Sequence, residues 1–151
     1  MKKVLIAAGV VFLVLIVIAI AGITFIGIKG RALDKESKKY VDVAVPAIVS
    51  IWNKQELLGR ASSEFMAAVK DEDLNKLFDL FRKLGKLKGY NGCEGQAHIS
   101  VTTQHGKVIS AEYVASADFD AGPANIKVNL IKHGNNWQII GFHVDSPVFL
   151  E

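Results

Sequence analysis

The sequence contains a single cysteine and none of the short motifs that mark common active sites. Cys93 has no second cysteine with which to form an intramolecular disulfide or a zinc site of several thiolates. The chain also has no glycine-rich phosphate loop, no nucleophile elbow, and no His and carboxylate pair at metal-ligand spacing on a predicted helix. Since no neighbour in the sequence would lower its pKa, Cys93 is interpreted as a small structural residue. We therefore expect no metal, no cofactor and no enzymatic activity.

Charge is absent from residues 4–28, which are almost entirely apolar. A bilayer core about 30 Å thick needs about 20 helical residues, so this stretch is long enough to cross it. Lys2 and Lys3 precede the stretch, and Lys29 and Arg31 follow it, which is the pattern of residues at the two membrane interfaces. The sequence predicts a transmembrane anchor over residues 1–28.

A cleaved signal peptide is the alternative interpretation of the same stretch. Ala19 and Ala21 form an A-x-A cleavage pattern after the basic start. However, the apolar run continues through residues 22–28, whereas a signal peptide core is about 7–15 residues long and is followed by a more polar segment. Retention of the anchor is therefore the preferred interpretation, and a mature chain that begins at Gly22 would contradict it.

The basic residues behind the overall charge of +3 lie on both sides of the apolar run, with Lys2 and Lys3 before it and a basic region after it. Residues 29–39 hold five Lys or Arg and two Asp or Glu, whereas residues 40–151 hold 11 Lys or Arg and 13 Asp or Glu. The first region is predicted to be a basic juxtamembrane linker that contacts anionic lipid. The second region has a net charge of −2, which argues against nucleic acid as a partner because phosphates require a basic surface.

The orientation of the predicted anchor is ambiguous. Five basic residues after the apolar run, against two before it, favour a cytoplasmic location for the C-terminal domain. A short basic tail followed by a long apolar run instead resembles a signal anchor that exports its C-terminal part. We favour the exported orientation, although the charge count opposes it.

Residues 40–86 have the periodicity of helices. In the first predicted helix, Asp34 or Ser37 is the expected N-cap and Pro46 is expected to interrupt the helix. The predicted apolar face of this helix consists of Val41, Ala44, Val45, Ile48, Ile51 and Trp52. A second helix is expected to start near Ser62 and Ser63. The clearest helix covers residues 71–84, with acidic residues at its start, basic residues near its end, and Gly85 after it.

After Lys86 the apolar period changes from that of a helix to two. Four strands with short turns between them are expected, which form an antiparallel meander. The preceding helices must cover the apolar face of this sheet, so the fold class is α+β with the helices first. The inward-facing row of the second strand is predicted to be Ala111, Tyr113, Ala115, Ala117 and Phe119. In the last strand both faces are apolar, and the sequence does not decide which of them faces the core.

This order of elements, with the last strand beginning WQIIGFHVDSP, resembles the cystatin-like, nuclear-transport-factor-2-like superfamily. The YVDVAVPAI stretch of residues 40–48, the ELL helix of residues 56–58 and the terminal WQI strand are similar to those of small bacterial membrane-anchored proteins of unassigned function. The resemblance covers residues 40–147. It implies a cystatin-like cone, in which helices pack into a curved four-stranded sheet, and a location at the bacterial inner membrane. It transfers no functional residues, since one fold hosts many functions.

Enzymes of the resembling superfamily line the cone with an acid or a base, so inward-facing polar residues are the candidates for a site. Tyr113 belongs to the inward row of the second strand, and His143 belongs to one of the two apolar faces of the last strand, so these two are the predicted ligand-binding residues. His98 and Asp118 alternate with the apolar rows and belong to the opposite face. The resulting hypothesis is a non-enzymatic binding or assembly module anchored in the bilayer, whose partners are other membrane proteins. The alternative is a small-ligand-binding or minor enzymatic domain with a pocket inside the cone.

Overall fold

The computed structural model describes residues 31–150, in which helices precede a single sheet. The helices are α1 (Arg31–Val49), α2 (Lys54–Leu58), α3 (Ser63–Ala68) and α4 (Asp71–Phe81), followed by a 3-10 turn (Arg82–Leu84). The strands are β1 (Leu87–Thr102), β2 (Gly106–Phe119), β3 (Pro123–His133) and β4 (Asn136–Asp145), and a second 3-10 turn follows (Pro147–Leu150). The predicted anchor, including Lys2, Lys3 and Lys29, lies outside the described residues. Among residues 31–150, no helix is both long and apolar enough to cross a bilayer.

The four strands form one sheet in the order β1-β2-β3-β4, and every neighbouring pair is antiparallel. The predicted α+β fold and its meander are therefore confirmed. The inward row of β2 is also confirmed, because all five of its predicted members are buried. The helices and one face of the sheet enclose a hydrophobic core, in which α1 packs chiefly against β1. Burial of this apolar surface is the main force that holds the layers together.

Helix α1 differs from its prediction at both ends. Asp34 and Ser37 lie inside the helix, so the expectation that one of them caps it was wrong. Ser37 is completely buried, and its hydroxyl donates to the carbonyl of Leu33 at 2.7 Å. Pro46 lies inside the helix, which continues past it and ends at Val49, before Ile51 and Trp52 of the predicted face. Its first turns include residues 31–39, the region predicted to be a basic linker.

The chain after α1 turns so that Trp52, and not Ile51, enters the core. Trp52 has a φ of 53°, in the left-handed region, and is 2 % exposed, whereas Ile51 is 67 % exposed. The indole ring stacks on Phe119 with centroids 5.1 Å apart, and its Nε1–H donates to the carbonyl of Gly85 at 3.0 Å. The prediction that Ile51 belongs to the apolar face was wrong because the helical period stops at Val49.

Helices α3 and α4 begin where the sequence predicts them. The Ser62 hydroxyl caps α3 by accepting a hydrogen bond from the N–H of Phe65 at 3.1 Å. Three acidic residues occupy the first turn of α4, where they interact favourably with the positive end of the helix dipole. Gly85 follows the 3-10 turn with a φ of 82°, a conformation that glycine adopts without steric cost. These features set the path of the chain from the helices into β1.

A register shift between Asn129 and Leu130 determines which face of β4 meets the core. Ile139 pairs with Leu130, but beyond the shift Phe142 pairs with Val128. Trp137 and Ile139 face the core before the irregularity, and Phe142 and Val144 face it afterwards. Both faces of the strand are apolar in sequence because the inward face changes along its length.

Candidate functional site

The candidate site is a pocket of about 540 Å³ between the first turns of α1 and the middle of β1. We call it the α1–β1 pocket, and its lining consists of Arg31, Asp34, Lys35, Lys38, Cys93, Glu94, Gly95 and Tyr113. Helical spacing places Arg31, Lys35 and Lys38 on one side of α1, since residues three and four apart are neighbours on a helix. The pocket therefore combines a charged helical wall with two strands of the sheet.

Tyr113 lies at the base of the pocket and is 1 % exposed. Its hydroxyl donates to the carbonyl of Asp34 at 2.8 Å and lies 2.7 Å from the buried hydroxyl of Ser37. Burial raises the pKa of Tyr113, so its hydroxyl stays protonated at neutral pH. Tyr113 thus joins β2 to α1 by hydrogen bonds to the helix. The alternating pattern of β2 predicts that Tyr113 faces inward, but it does not predict this positioning role.

The Asp34 carboxylate joins α1 to the free edge of the sheet. Its Oδ1 atom accepts a hydrogen bond from the backbone N–H of Ala97 at 2.7 Å. β1 is the edge strand on this side, and an edge N–H without a partner can pair with another chain. Asp34 satisfies one such group and fixes the first turns of α1 beside the pocket.

Asp42 is the centre of a second polar cluster next to the pocket. Its Oδ1 atom accepts from the Tyr90 hydroxyl at 2.7 Å and from the Cys93 thiol at 3.2 Å, and its Oδ2 accepts from Lys38 Nζ at 3.0 Å. Burial would raise the pKa of Asp42, but the hydrogen bonds from Tyr90, Lys38 and Cys93 outweigh it and lower the pKa. The carboxylate is therefore ionised at neutral pH and has a donor on each oxygen.

Cys93 is held as a neutral thiol by the same arrangement. The side chain is buried, with 5 % exposure, and burial together with the adjacent Asp42 carboxylate raises the pKa of the thiol to about 11. Because the thiolate is the reactive form of cysteine, this environment suppresses nucleophilic and redox chemistry at neutral pH. It agrees with the interpretation of Cys93 as a structural residue.

A β-bulge brings Tyr90 and Cys93 together, and sequence reasoning missed this cluster for that reason. Residues three apart in a regular strand point to opposite faces. The register shifts between Tyr90 and Cys93, where Gly92 has a φ of 94°, and their partners Ala117 and Ala115 are both buried. Both side chains consequently face α1. The signal in the sequence is Gly92, one of three glycines in this strand, because a glycine inside a strand is typical of a bulge.

The two predicted ligand-binding residues, Tyr113 and His143, do not lie together. His143 pairs with Lys127 in β3, between the core residues Phe142 and Val144, so it projects from the opposite face of the sheet. Its Nδ1 atom is buried and has no hydrogen-bond partner among residues 31–150. Burial lowers the pKa of His143; the nearby Lys127 also lowers it, and Asp145 raises it.

Arg31 is the one predicted membrane-interface residue that lies within residues 31–150, and it lines the α1–β1 pocket.

Comparison of the chain with protein-family models, with curated proteins and with solved structures finds no match. The resemblance to the cystatin-like superfamily therefore stays a prediction. In the described part of the chain, no group of three or more His, Cys, Asp or Glu side chains is arranged to hold a metal ion.

Proposed function

We propose that the protein is a single-pass, membrane-anchored binding or assembly module without enzymatic activity. The observation that carries this proposal is the uncharged stretch of residues 4–28, which ends three residues before the start of α1. Such a stretch is more stable in hydrocarbon than in water, and a helix satisfies its backbone hydrogen bonds there. The folded domain then works at a membrane surface, with the helix α1 as its nearest element.

The polar clusters of the domain support binding or assembly over chemistry. Cys93 is a protonated thiol, Asp42 is saturated by three donors, and Tyr113 bonds to the backbone of α1. Groups engaged in this way stabilise the contact of a helix with a sheet. Catalytic groups instead need a pKa matched to proton transfer near the working pH.

The location that accompanies this proposal is a bacterial inner membrane, with the domain on the extracytoplasmic side. The expected partners are the lipid bilayer and other membrane proteins. A reporter enzyme fused after Glu151 tests the orientation, since one that is active only outside the cytoplasm supports export. Activity confined to the cytoplasm would reverse the assignment and agree with the charge count of the flanking residues.

Charge substitution within residues 4–28 tests the anchor. The double variant Leu15→Arg and Ile16→Arg places two cations near the middle of the run, where each costs about 2.5–3.5 kcal/mol of insertion free energy. We expect the variant to leave the membrane fraction of cells, while the matched control Leu15→Ala and Ile16→Ala stays in it. Equal distribution of the two variants would contradict the anchor.

Size measurement in a mild detergent tests the assembly role. A chain of 16.4 kDa that works in an assembly is expected to elute with a defined partner or as an oligomer, with a protein mass above that of one chain. Light scattering combined with size-exclusion chromatography separates the protein mass from that of the detergent. Recovery of the protein alone and monomeric under several mild conditions would remove the support for an assembly role.

A small-ligand-binding domain is the second candidate function, and the α1–β1 pocket is the observation that favours it. Its volume of about 540 Å³ falls within the range of about 300–1,000 Å³ typical of small-molecule sites. Tyr113, predicted from the sequence as a ligand-binding residue, lies at its base, but His143 lies on the other face of the sheet. A ligand in this pocket would therefore lie against the helix wall, without the assistance of His143.

A further inference from the structure

The charged lining of the α1–β1 pocket contains more cations than carboxylates, but one ion pair cancels the excess. Arg31, Lys35 and Lys38 provide three cations, and Asp34 and Glu94 provide two carboxylates. Asp42, beside the pocket, pairs with Lys38, so these six charges sum to zero. An anionic ligand would therefore recognise the cations that are left unpaired, and not a net charge of the lining.

Two of the three cations are available to a ligand. Lys38 is held by Asp42 at 3.0 Å, and the Asp34 carboxylate is bonded to the backbone of β1. Arg31 and Lys35 are exposed, and neither has a hydrogen-bond or ion-pair partner within residues 31–150. They lie one helical turn apart on the same wall. An arginine fork beside a lysine is a combination that binds two oxygens of one phosphate group.

Covalent geometry limits the distance between this pocket and the apolar run. Consecutive Cα atoms are 3.8 Å apart, so the Cα of Arg31 lies within about 11 Å of the Cα of Ile28 whatever the intervening conformation. If residues 4–28 span a bilayer, as proposed above, Arg31 therefore lies within about 11 Å of the end of the span, and Lys35 lies about 6 Å further along α1. Phospholipid headgroups at this surface carry a monoanionic phosphodiester, whose two free oxygens suit an arginine beside a lysine.

We propose that the α1–β1 pocket binds a monoanionic phosphodiester, with Arg31 and Lys35 as the residues that contact its oxygens. Two sources share this chemistry, namely the headgroup of an anionic phospholipid and a soluble glycerophosphodiester. The lipid source rests on the proposed membrane anchor, whereas the two unpaired cations of the pocket do not. The occupied pocket would fix the orientation of the domain relative to the membrane surface.

A titration of the full-length, nitrogen-15-labelled protein in micelles of a non-ionic maltoside detergent tests the proposal. The probes are dioleoylphosphatidylglycerol in the micelle, glycerophosphoglycerol in the water, and dioleoylglycerol as a lipid without phosphate. We expect saturable shifts of the backbone amide signals of Lys35, Glu94 and Gly95 with at least one phosphodiester and none with dioleoylglycerol. Shifts with the lipid alone identify a headgroup site, and shifts with both probes identify recognition of the phosphodiester itself.

The variant Arg31→Gln with Lys35→Gln should weaken the saturable binding by about 30-fold, since each basic contact with an anionic lipid is worth a factor of about five. The matched control is Lys83→Gln with Lys88→Gln, which removes the same charge from exposed residues outside the pocket. Unchanged amide signals in the sheet show that each variant is folded. Equal weakening by the control, equal shifts with dioleoylglycerol, or no shift with either phosphodiester would overturn the proposal.

The failures of this proposal and of the membrane anchor are distinguishable. If the full-length protein is recovered from cells in water without detergent, the anchor is wrong, and titration with glycerophosphoglycerol still tests the pocket. If the protein needs detergent but no phosphodiester shifts its signals, the pocket proposal alone is wrong.

Discussion

The Oδ1 atom of Asp42, in α1, lies 3.2 Å from the Sγ atom of Cys93, in β1. This contact joins residues 51 positions apart and crosses from the helical layer to the edge strand of the sheet. An ionised carboxylate this close opposes formation of a thiolate, because two negative charges would share a partly buried site. The chemistry of the only cysteine is consequently controlled by a residue on another element.

Alkylation of Cys93 should be slow and should depend steeply on pH. A thiol with the ordinary pKa of 9.0 is about 10 % ionised at pH 8, whereas one with a pKa of about 11 is about 0.1 % ionised. We therefore expect iodoacetamide to react with the folded protein about 100-fold more slowly than with a free thiol at pH 8. The rate should continue to rise up to about pH 11.

The variant Asp42→Asn should lower the pKa of Cys93 and accelerate its alkylation at pH 8. Glu94→Gln is the matched control, since it removes one carboxylate from the residue next to Cys93, and we expect no comparable acceleration. Near-ultraviolet circular dichroism establishes that both variants keep their tertiary packing. Equal rates for Asp42→Asn and the unaltered protein would show that Asp42 does not control the thiol.

Removing the hydroxyl of Tyr113 should destabilise the domain. The Tyr113→Phe change deletes a buried hydrogen bond to the carbonyl of Asp34 and a contact with Ser37, so we expect a loss of about 1–2 kcal/mol in the free energy of unfolding. Tyr40→Phe is the control, because the Tyr40 hydroxyl has no hydrogen-bond partner in the described part of the chain, and its cost should be below about 0.5 kcal/mol. Chemical denaturation of the detergent-solubilised protein measures both, and equal costs would refute the bridging role of Tyr113.

Two glycines of β1 should respond very differently to alanine. A Cβ atom at Gly95 would lie 1.9 Å from the backbone oxygen of Glu112, so Gly95→Ala must separate β1 from β2. We expect a loss of about 3 kcal/mol or more in the free energy of unfolding. At Gly89 an added Cβ meets no atom within 4 Å, and Gly89→Ala should change stability by less than about 0.5 kcal/mol. Denaturant midpoints compare the two, and a tolerated Gly95→Ala would contradict this strand pairing.

The stability of the domain should fall as the pH decreases from 7 to 5.5. The pKa of His143 is lowered in the folded state, below its ordinary value of 6.5, so the unfolded state binds the proton first. The free energy of unfolding then decreases as the pH falls below 6.5, by at most about 1.4 kcal/mol per pH unit for one proton. The lowered pKa values of Asp42 and Glu64 act in the same direction, but only at more acidic pH.

The variant His143→Gln should reduce the slope of the free energy of unfolding against pH, because glutamine does not titrate. His105→Gln, at an exposed position in the turn between β1 and β2, should keep it. Urea denaturation at pH 5.5, 6.0, 6.5 and 7.0 supplies the four free energies for each variant. A slope in His143→Gln equal to that of the unaltered protein would exclude His143 as its source.

Periodicity predicted the order of the elements because regular helices and strands bury one face. Tyr113 and its row follow an unbroken period of two in β2, and Phe78 and Phe81 follow the helical period of α4. The errors occur where a period breaks. Ile51 was assigned to the wrong side because the helix ends at Val49, and the face of His143 was undecided because β4 is irregular near its middle.

The polar clusters could not be predicted from local pattern. No local pattern in the sequence marks Asp42, and its contacts depend on a bulge that turns Tyr90 and Cys93 toward it. The pocket likewise requires that the first turns of α1 lie over the edge of β1, as the bond from Ala97 to Asp34 shows. Such long-range contacts are set by the packing of the layers. Arg31 was predicted to be a membrane-interface residue because it is close to the apolar run in the sequence. Its position in the α1–β1 pocket was not predicted.

Mass spectrometry of the intact chain recovered from washed membranes tests the proposed anchor most directly. After alkaline carbonate extraction, which strips peripheral proteins, we predict a single species of 16.4 kDa in the membrane pellet that only detergent releases. A chain that starts at Gly22, or a full-length chain in the carbonate supernatant, would contradict the account.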